Sequence, residues 1–187
     1  MEKKGKIVVF SAASGAGKST ILSELRKKMP NIVTSISATT RNPRGQEIDG
    51  VDYFFMSKED FIAKKDKDGF AEWAEVHGNY YGTPRDFIEK NLADGKMIVM
   101  DIDVQGKVLM QKQYPNDTLG IFIETPSFEE LENRLRKRAT DSEETIKLRL
   151  ENAKKELEFA KNQGNYDYFV VNDNLEEAVK KICEILS

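Results

Sequence analysis

Four short apolar runs punctuate the chain: Ile7–Phe10, Met97–Met100, Leu119–Ile123 and Tyr168–Val171. Each is followed by a segment with helical periodicity. Runs this short suit strands buried on both faces, and their alternation with helices predicts an α/β protein with a mainly parallel sheet. Ile32–Ser37 is a fifth candidate strand, while Val51–Met56 and Phe70–Val76 predict a separate, more antiparallel pairing. Helix starts are marked as well. Ser57-x-x-Asp60 and Ser127-x-x-Glu130 read as capping boxes. Thr83-Pro84-x-Asp86 puts proline in a first helical turn, where its missing N–H is harmless. Asn174 is placed to cap a helix with the stripe Ala178, Ile182 and Ile185, and Cys183 borders that stripe as a small buried residue. From Ser142 to Gln163, Ile146, Leu150, Ala153, Leu157 and Ala160 recur on one helical face. At 1.5 Å per residue that helix would be about 33 Å long. Arg149 stands beside this face. Its spacing fits equally a stem packed on the core and a guanidinium aimed into a cleft.

Length and charge narrow the class. The chain has 187 residues and no internal repeat or Pro/Gly/Ser linker, which suits a single domain. Lys and Arg number 29 against 32 Asp and Glu, a net charge of −3 that argues against a broad nucleic-acid surface. One cysteine excludes an intramolecular disulfide, and one histidine, His77, excludes a multi-histidine metal site. No apolar run approaches the ~18 residues of a membrane span, and the run after the N-terminal lysines is too short for a signal-peptide core. The expected address is the cytoplasm, with no membrane partner.

The strongest chemical signal is Ser11-Ala12-Ala13-Ser14-Gly15-Ala16-Gly17-Lys18-Ser19-Thr20, between a predicted strand and a predicted helix through Ile21, Leu22, Leu25 and Met29. This is the context a P-loop requires. The amides of Ala12 to Thr20 would cradle the phosphates of a nucleotide, Lys18 would reach the β- and γ-phosphates, and Ser19 would put its hydroxyl on Mg²⁺. Ala12 replaces the first glycine of the generic pattern, so the backbone there must keep φ below zero. Asp101 and Asp103 follow the apolar strand Met97–Met100, where a carboxylate comes close to a nucleotide's metal; Asp101 would act through water. Asp103 has a second reading as a helix cap.

An acceptor signal lies between the mononucleotide halves. Arg41 and Arg44, three residues apart in a proline-broken loop, can fork onto one phosphate. The ordered motifs S-A-x-S-G-A-G-K-S-T, T-T-R-x-P-R, G-x-D-Y-x-F, E-W-A, G-N-Y-Y-G-T, D-I-D-x-Q-G and V-V-N-D run from Ser11 to Asp173. Through them the chain closely resembles the guanylate kinase family. That resemblance implies an α/β P-loop kinase core with a mainly parallel five-stranded sheet flanked by helices. It also implies a GMP-binding insertion with a mixed sheet and a helical lid. The single domain would span 5–184, with core segments 5–36, 92–125 and 161–187, a GMP-binding region 37–91 and a lid 126–160. Arg41, Arg44, Tyr53 and Tyr81 would hold the GMP phosphate, Ser37, Glu72 and Thr83 would read guanine, and Asp103 would help position the nucleotide. Lid residues Arg134, Arg138 and Arg149 would join Lys18 on the transferred phosphoryl group. Asn172 and Asp173 match residues at the adenine end, although strand exit and helix cap explain them equally. Ala139 stands where relatives often carry glycine, which bears on hinge geometry, and Ala13 where many carry proline. Core packing is the expected role of Phe70 and Trp73, and a turn that of His77.

The implied function is reversible, Mg²⁺-dependent transfer of the ATP γ-phosphoryl group to GMP or dGMP, giving ADP and GDP or dGDP, by a monomer or homodimer. Two other classes share these features: a catalytically silent protein-binding module of the same fold, and a related P-loop kinase of a phosphorylated sugar. The intact Gly17-Lys18-Ser19 disfavours the first, and the set Ser37, Glu72 and Thr83 disfavours the second.

Overall fold

The computed structural model describes residues 5–76, 78–137 and 142–187. In chain order the elements are β1 (Lys6–Ala12), α1 (Lys18–Lys28), β2 (Val33–Thr34), β3 (Ala38–Thr39), β4 (Phe54–Phe55), α2 (Lys58–Asp66), β5 (Phe70–Val76), β6 (Asn79–Pro84), α3 (Arg85–Ala93), β7 (Met97–Asp101), α4 (Val104–Gln113), β8 (Thr118–Glu124), α5 (Phe128–Lys137), α6 (Glu143–Asn162), β9 (Tyr168–Val171) and α7 (Leu175–Leu186). Five strands form one sheet in the order β2-β7-β1-β8-β9, and four form a second in the order β4-β3-β6-β5. β1 is central, and Ile7, Val8, Val9 and Phe10 are each fully buried, as a strand covered on both faces demands. The predicted α/β class and parallel pairing hold: β2 with β7 and β8 with β9 are both parallel. The fifth strand is shorter than expected, reduced from Ile32–Ser37 to Val33–Thr34.

The described residues divide into two compact units, one of 5–8, 33–100 and 108–118, the other of 9–32, 101–107 and 119–187. In the first, Ala38, Phe61 and Phe70 form a small buried core, with Phe54, Met56 and Tyr80 packed against it. Phe61 stacks on Phe70 at 4.3 Å and on Tyr80 at 5.3 Å between ring centroids. The expected pairing of the segments 51–56 and 70–76 is corrected: β4 pairs in parallel with β3, and β5 pairs antiparallel with β6. A turn is the reason. Gly50 N–H donates to the Tyr53 carbonyl and Ile48 N–H to Asp52 Oδ2, which leaves only Phe54 and Phe55 extended. Trp73 is also not core, being 41% exposed. It lies on β5, an edge strand, with its ring under the Lys65 ammonium at 4.8 Å.

The second unit carries the long predicted helix. α6 starts at its cap Ser142, whose hydroxyl accepts from Thr145 N–H, and buries Ile146, Ala153 and Ala160. Leu150 and Leu157 on the same stripe are half-buried. The capping expectations hold at Ser57, Ser127 and Asn174, which accept from Asp60, Glu130 and Glu177 N–H. Pro84 is itself the cap of α3, one residue before its first turn. Cys183 is half-buried. α1 packs on α7, and α5 on α6. Lys107 on α4 is fully buried; its ammonium donates to the Asn165 carbonyl and lies 5.0 Å from the centre of the Tyr166 ring. This cation ties down the turn before β9, and burial pushes its pKa below the ordinary lysine value, with Asp167 opposing. Among the described residues no helix is long and apolar enough to cross a membrane.

Phe61 is fully buried in the aromatic stack, against both Phe70 and Tyr80. Phe61→Ala should therefore cost about 3–5 kcal/mol, measured by urea denaturation.

Candidate functional site

The second unit assembles the loop. β1 ends at Ala12, and the chain turns through Gly15 at φ +97° and Gly17 at φ +90° into α1. Both lie in the left-handed region, and a Cβ on Gly17 would come 2.5 Å from Asn172 Nδ2. Among described non-glycine residues only Asp68 and Asn165 have positive φ, so Ala12 keeps an ordinary backbone, as its methyl requires. α1 differs from α2, α6 and α7 at its start. Those three have a side chain accepting a first-turn N–H; α1 has neither such a cap nor an acidic residue in its first turn. Its exposed N–H groups and positive dipole end suit an anion.

Side chains converge on this loop from four directions. Lys18 pairs with Asp101 at the end of β7. Asn172, 7% exposed, donates from Nδ2 to the Ala16 carbonyl at 2.8 Å. Arg134, held by Glu130 at 2.8 Å, lines a cleft of about 430 Å³ with Gly15, Gly17, Thr20, Asn172 and Asp173. Glu156 of α6 accepts from Ser14 N–H at 3.2 Å. Burial raises the Glu156 carboxyl above the ordinary carboxylate range, and the Ser14 amide and Lys18 oppose the rise. Asp103 Oδ1 accepts from Gly106 N–H at 2.7 Å, the helix-cap reading of that residue. Arg149 is half-buried on α6, and Arg138 lies outside the described residues, as do Ala139 and His77. Among the described residues no three His, Cys, Asp or Glu side chains converge on a metal position. The Ser19 hydroxyl and Asp101 carboxylate are hard oxygen donors, and this small set fits a Mg²⁺ ion shared with phosphate oxygens.

The first unit gathers the other candidates. Arg41 Nη2 pairs with Glu47 Oε1 at 2.9 Å, and Arg44 N–H donates to Glu47 Oε2 at 2.7 Å. These two bonds hold the Glu47 carboxyl below its usual range. The Arg41 guanidinium also lies 5.4 Å from the Tyr53 ring, which meets Tyr81 edge-on at 6.1 Å. Arg41, Tyr53 and Tyr81 thus form one cluster, to which Glu47 joins the Arg44 backbone. Glu72 and Thr83 form another: they pair across β5 and β6, and Thr83 Oγ1 donates to Glu72 Oε1 at 2.6 Å. A register shift between Phe70 and Glu72 accompanies this pairing. Ser37 directly precedes β3, one step beyond the Ala38–Gly82 pair and so on the Thr83 side.

Two residues escaped the sequence reading. Glu47 had a signal, as the acid nearest two arginines in a basic loop. Glu156 had none, since helical spacing gives its face but not its partner on a loop 142 residues earlier.

Left-handed glycines at a strand–helix junction, an uncapped helix start, and a lysine paired to a strand-end carboxylate define a P-loop nucleotide-binding α/β protein. The comparisons narrow this class. A family model described as guanylate kinase matches residues 4–187. A guanylate kinase from Thermotoga maritima is 45% identical over 183 residues, covering 98% of this chain and 86% of the relative. One from Clostridium perfringens is 48% identical over 185 residues, covering 99% and 84%. The crystal structure of guanylate kinase from Anaplasma phagocytophilum superposes with a TM-score of 0.75 at 34% identity, covering 100% of this chain and 86% of that one. The chain belongs to the guanylate kinase family.

Gly17→Ala tests the loop geometry. It should lower stability by about 1–3 kcal/mol in thermal denaturation and abolish nucleotide binding in calorimetry, because the methyl meets Asn172 in a strained backbone.

Proposed function

We propose that this chain catalyses reversible transfer of the γ-phosphoryl group from ATP to the phosphate of GMP or dGMP, giving ADP and GDP or dGDP. The observation that carries the choice of acceptor is the Glu72–Thr83 hydrogen bond. Guanine offers N1–H and an exocyclic amine as adjacent donors, which one carboxylate can accept together. Adenine has no such pair. Thr83, by donating to Oε1, orients the carboxylate for that edge, and Ser37 adds a polar group beside it. Arg41, Arg44, Tyr53 and Tyr81 would bind the acceptor phosphate. Glu47 pre-orders the Arg41 guanidinium and holds the backbone at Arg44, and so lowers the entropy lost on binding.

On the donor side, the loop amides from Ala12 to Thr20 and Lys18 would hold the triphosphate, with Asn172 and Asp173 toward the adenine. Ser19 and, through water, Asp101 would hold Mg²⁺, which when bound neutralises phosphate charge. Phosphoryl transfer depends mainly on alignment and charge stabilisation. An oxygen of the acceptor phosphate is already an anionic nucleophile; it attacks the γ-phosphorus as the bond to the ADP oxygen breaks. Lys18, Arg134, Arg138 and Arg149 would stabilise the charge that spreads over the transferred group. Asp103 would help position the acceptor. The same reading includes a core of 5–36, 92–125 and 161–187, a GMP-binding region 37–91 and a lid 126–160 that shields the reaction from water. It also includes a cytoplasmic monomer or homodimer in purine nucleotide metabolism, with no nucleic-acid partner.

ADP release with Mg²⁺ across GMP, dGMP, AMP, UMP and ribose phosphates tests the reading; turnover should be confined to the guanine nucleotides, and a faster sugar-phosphate reaction would overturn it. Lys18→Ala should lower kcat by at least about a hundredfold with the fold intact by circular dichroism. Glu72→Ala should raise KM for GMP by tenfold or more and erode the preference for GMP over AMP.

A further inference from the structure

Glu156 belongs to none of the roles above, yet its carboxylate sits on the loop. It projects from α6, accepts the Ser14 N–H, and lines both the cavity of about 280 Å³ bounded by residues 12–20 and a neighbouring cleft of about 340 Å³. The neighbouring cleft is also lined by Asp103, Gln105, Asn152, Lys155 and Phe159. An anionic oxygen on an amide of this loop does what a phosphate oxygen would do there. The second unit therefore contains its own occupant for one of the loop's donors.

We infer that Glu156 is an internal competitor of the nucleotide's phosphates, and that polyphosphate binds by taking the Ser14 amide from it and releasing α6 from the loop. The inference rests on the reading of the loop as a phosphate cradle. The surroundings make the exchange sensitive to charge. Lys18 faces Glu156 from the start of α1 and is shared with Asp101. Asp103 and the buried Tyr166 hydroxyl approach from the segments after β7 and before β9, and Lys155 flanks it on α6. Polyphosphate brought to this loop adds negative charge beside a half-buried carboxylate. Displaced from the Ser14 amide, which favours its charged form, and left beside Asp103 and the added phosphate charge, the carboxylate takes up a proton. Burial already favours its protonated form, so affinity in the native chain should fall as pH rises through the Glu156 titration.

The test is calorimetric binding of inorganic tripolyphosphate, which carries neither base nor sugar, to the full chain. Glu156→Gln keeps an acceptor for Ser14 and removes the charge. It should bind about tenfold tighter than the native chain at pH 7, as expected for loss of one close charge repulsion. Repeating the titration in buffers of different ionisation enthalpy should show proton uptake by the native chain above that of the ligand itself, and E156Q should lack that excess. Equal or weaker binding by E156Q, or equal uptake by both proteins, would overturn the inference. Should E156Q not fold, the native chain's uptake decides alone, and no excess refutes the exchange. Lys18→Ala separates the two levels: it should lose tripolyphosphate binding, and if it binds as the native chain does, the phosphate-cradle reading fails instead.

Discussion

The constraint on which the structure turns is electrostatic. β1, fully buried from Ile7 to Ser11, runs into a loop and a helix start without an N-cap side chain, where the Glu156 carboxylate takes the Ser14 N–H. Such donors are costly to bury unpaired and useful only to an anion. The loop is braced accordingly. Leu135 of α5 closes on Gly15, Asn172 at the exit of β9 grips Ala16, Glu156 of α6 meets Ser14, and Asp101 of β7 takes Lys18. Four elements distant in sequence converge on a few residues, so the shape of the loop is a property of the whole second unit.

The first unit handles charge differently. It uses side chains held by partners: Glu47 pairs with the Arg41 guanidinium and accepts the Arg44 backbone N–H, and Thr83 donates to Glu72. A pre-paired arginine gives up less rotamer freedom on meeting a phosphate, at the cost of an existing bond. Backbone donors suit a ligand recognised by phosphate alone, whereas side chains can be chosen to discriminate among bases.

Much of this was legible in the residues because it is local. Buried strands are continuous apolar runs, caps are short-range patterns, and the loop glycines sit at defined spacings. Arg41 with Arg44, and Glu72 with Thr83, could be named as candidates from motif resemblance. The Glu72–Thr83 pairing could not, because it depends on the register of β5 on β6 and its shift near Phe70. The 51–56 segment misled for a related reason: Val51 and Tyr53 look like strand residues, but Gly50 and Asp52 close a turn around them. Glu156 was hidden entirely, since nothing in helical periodicity identifies a partner 142 positions away.

The exposed Trp73 has an optical consequence. It is the chain's only tryptophan, stands next to Glu72 on β5, and has a lysine ammonium over its ring. The indole is thus a single tryptophan signal in the unit that carries Glu72 and Thr83, while the unit bearing the P-loop has no tryptophan. Its emission can follow β5 without a label, separately from the unit that holds the P-loop.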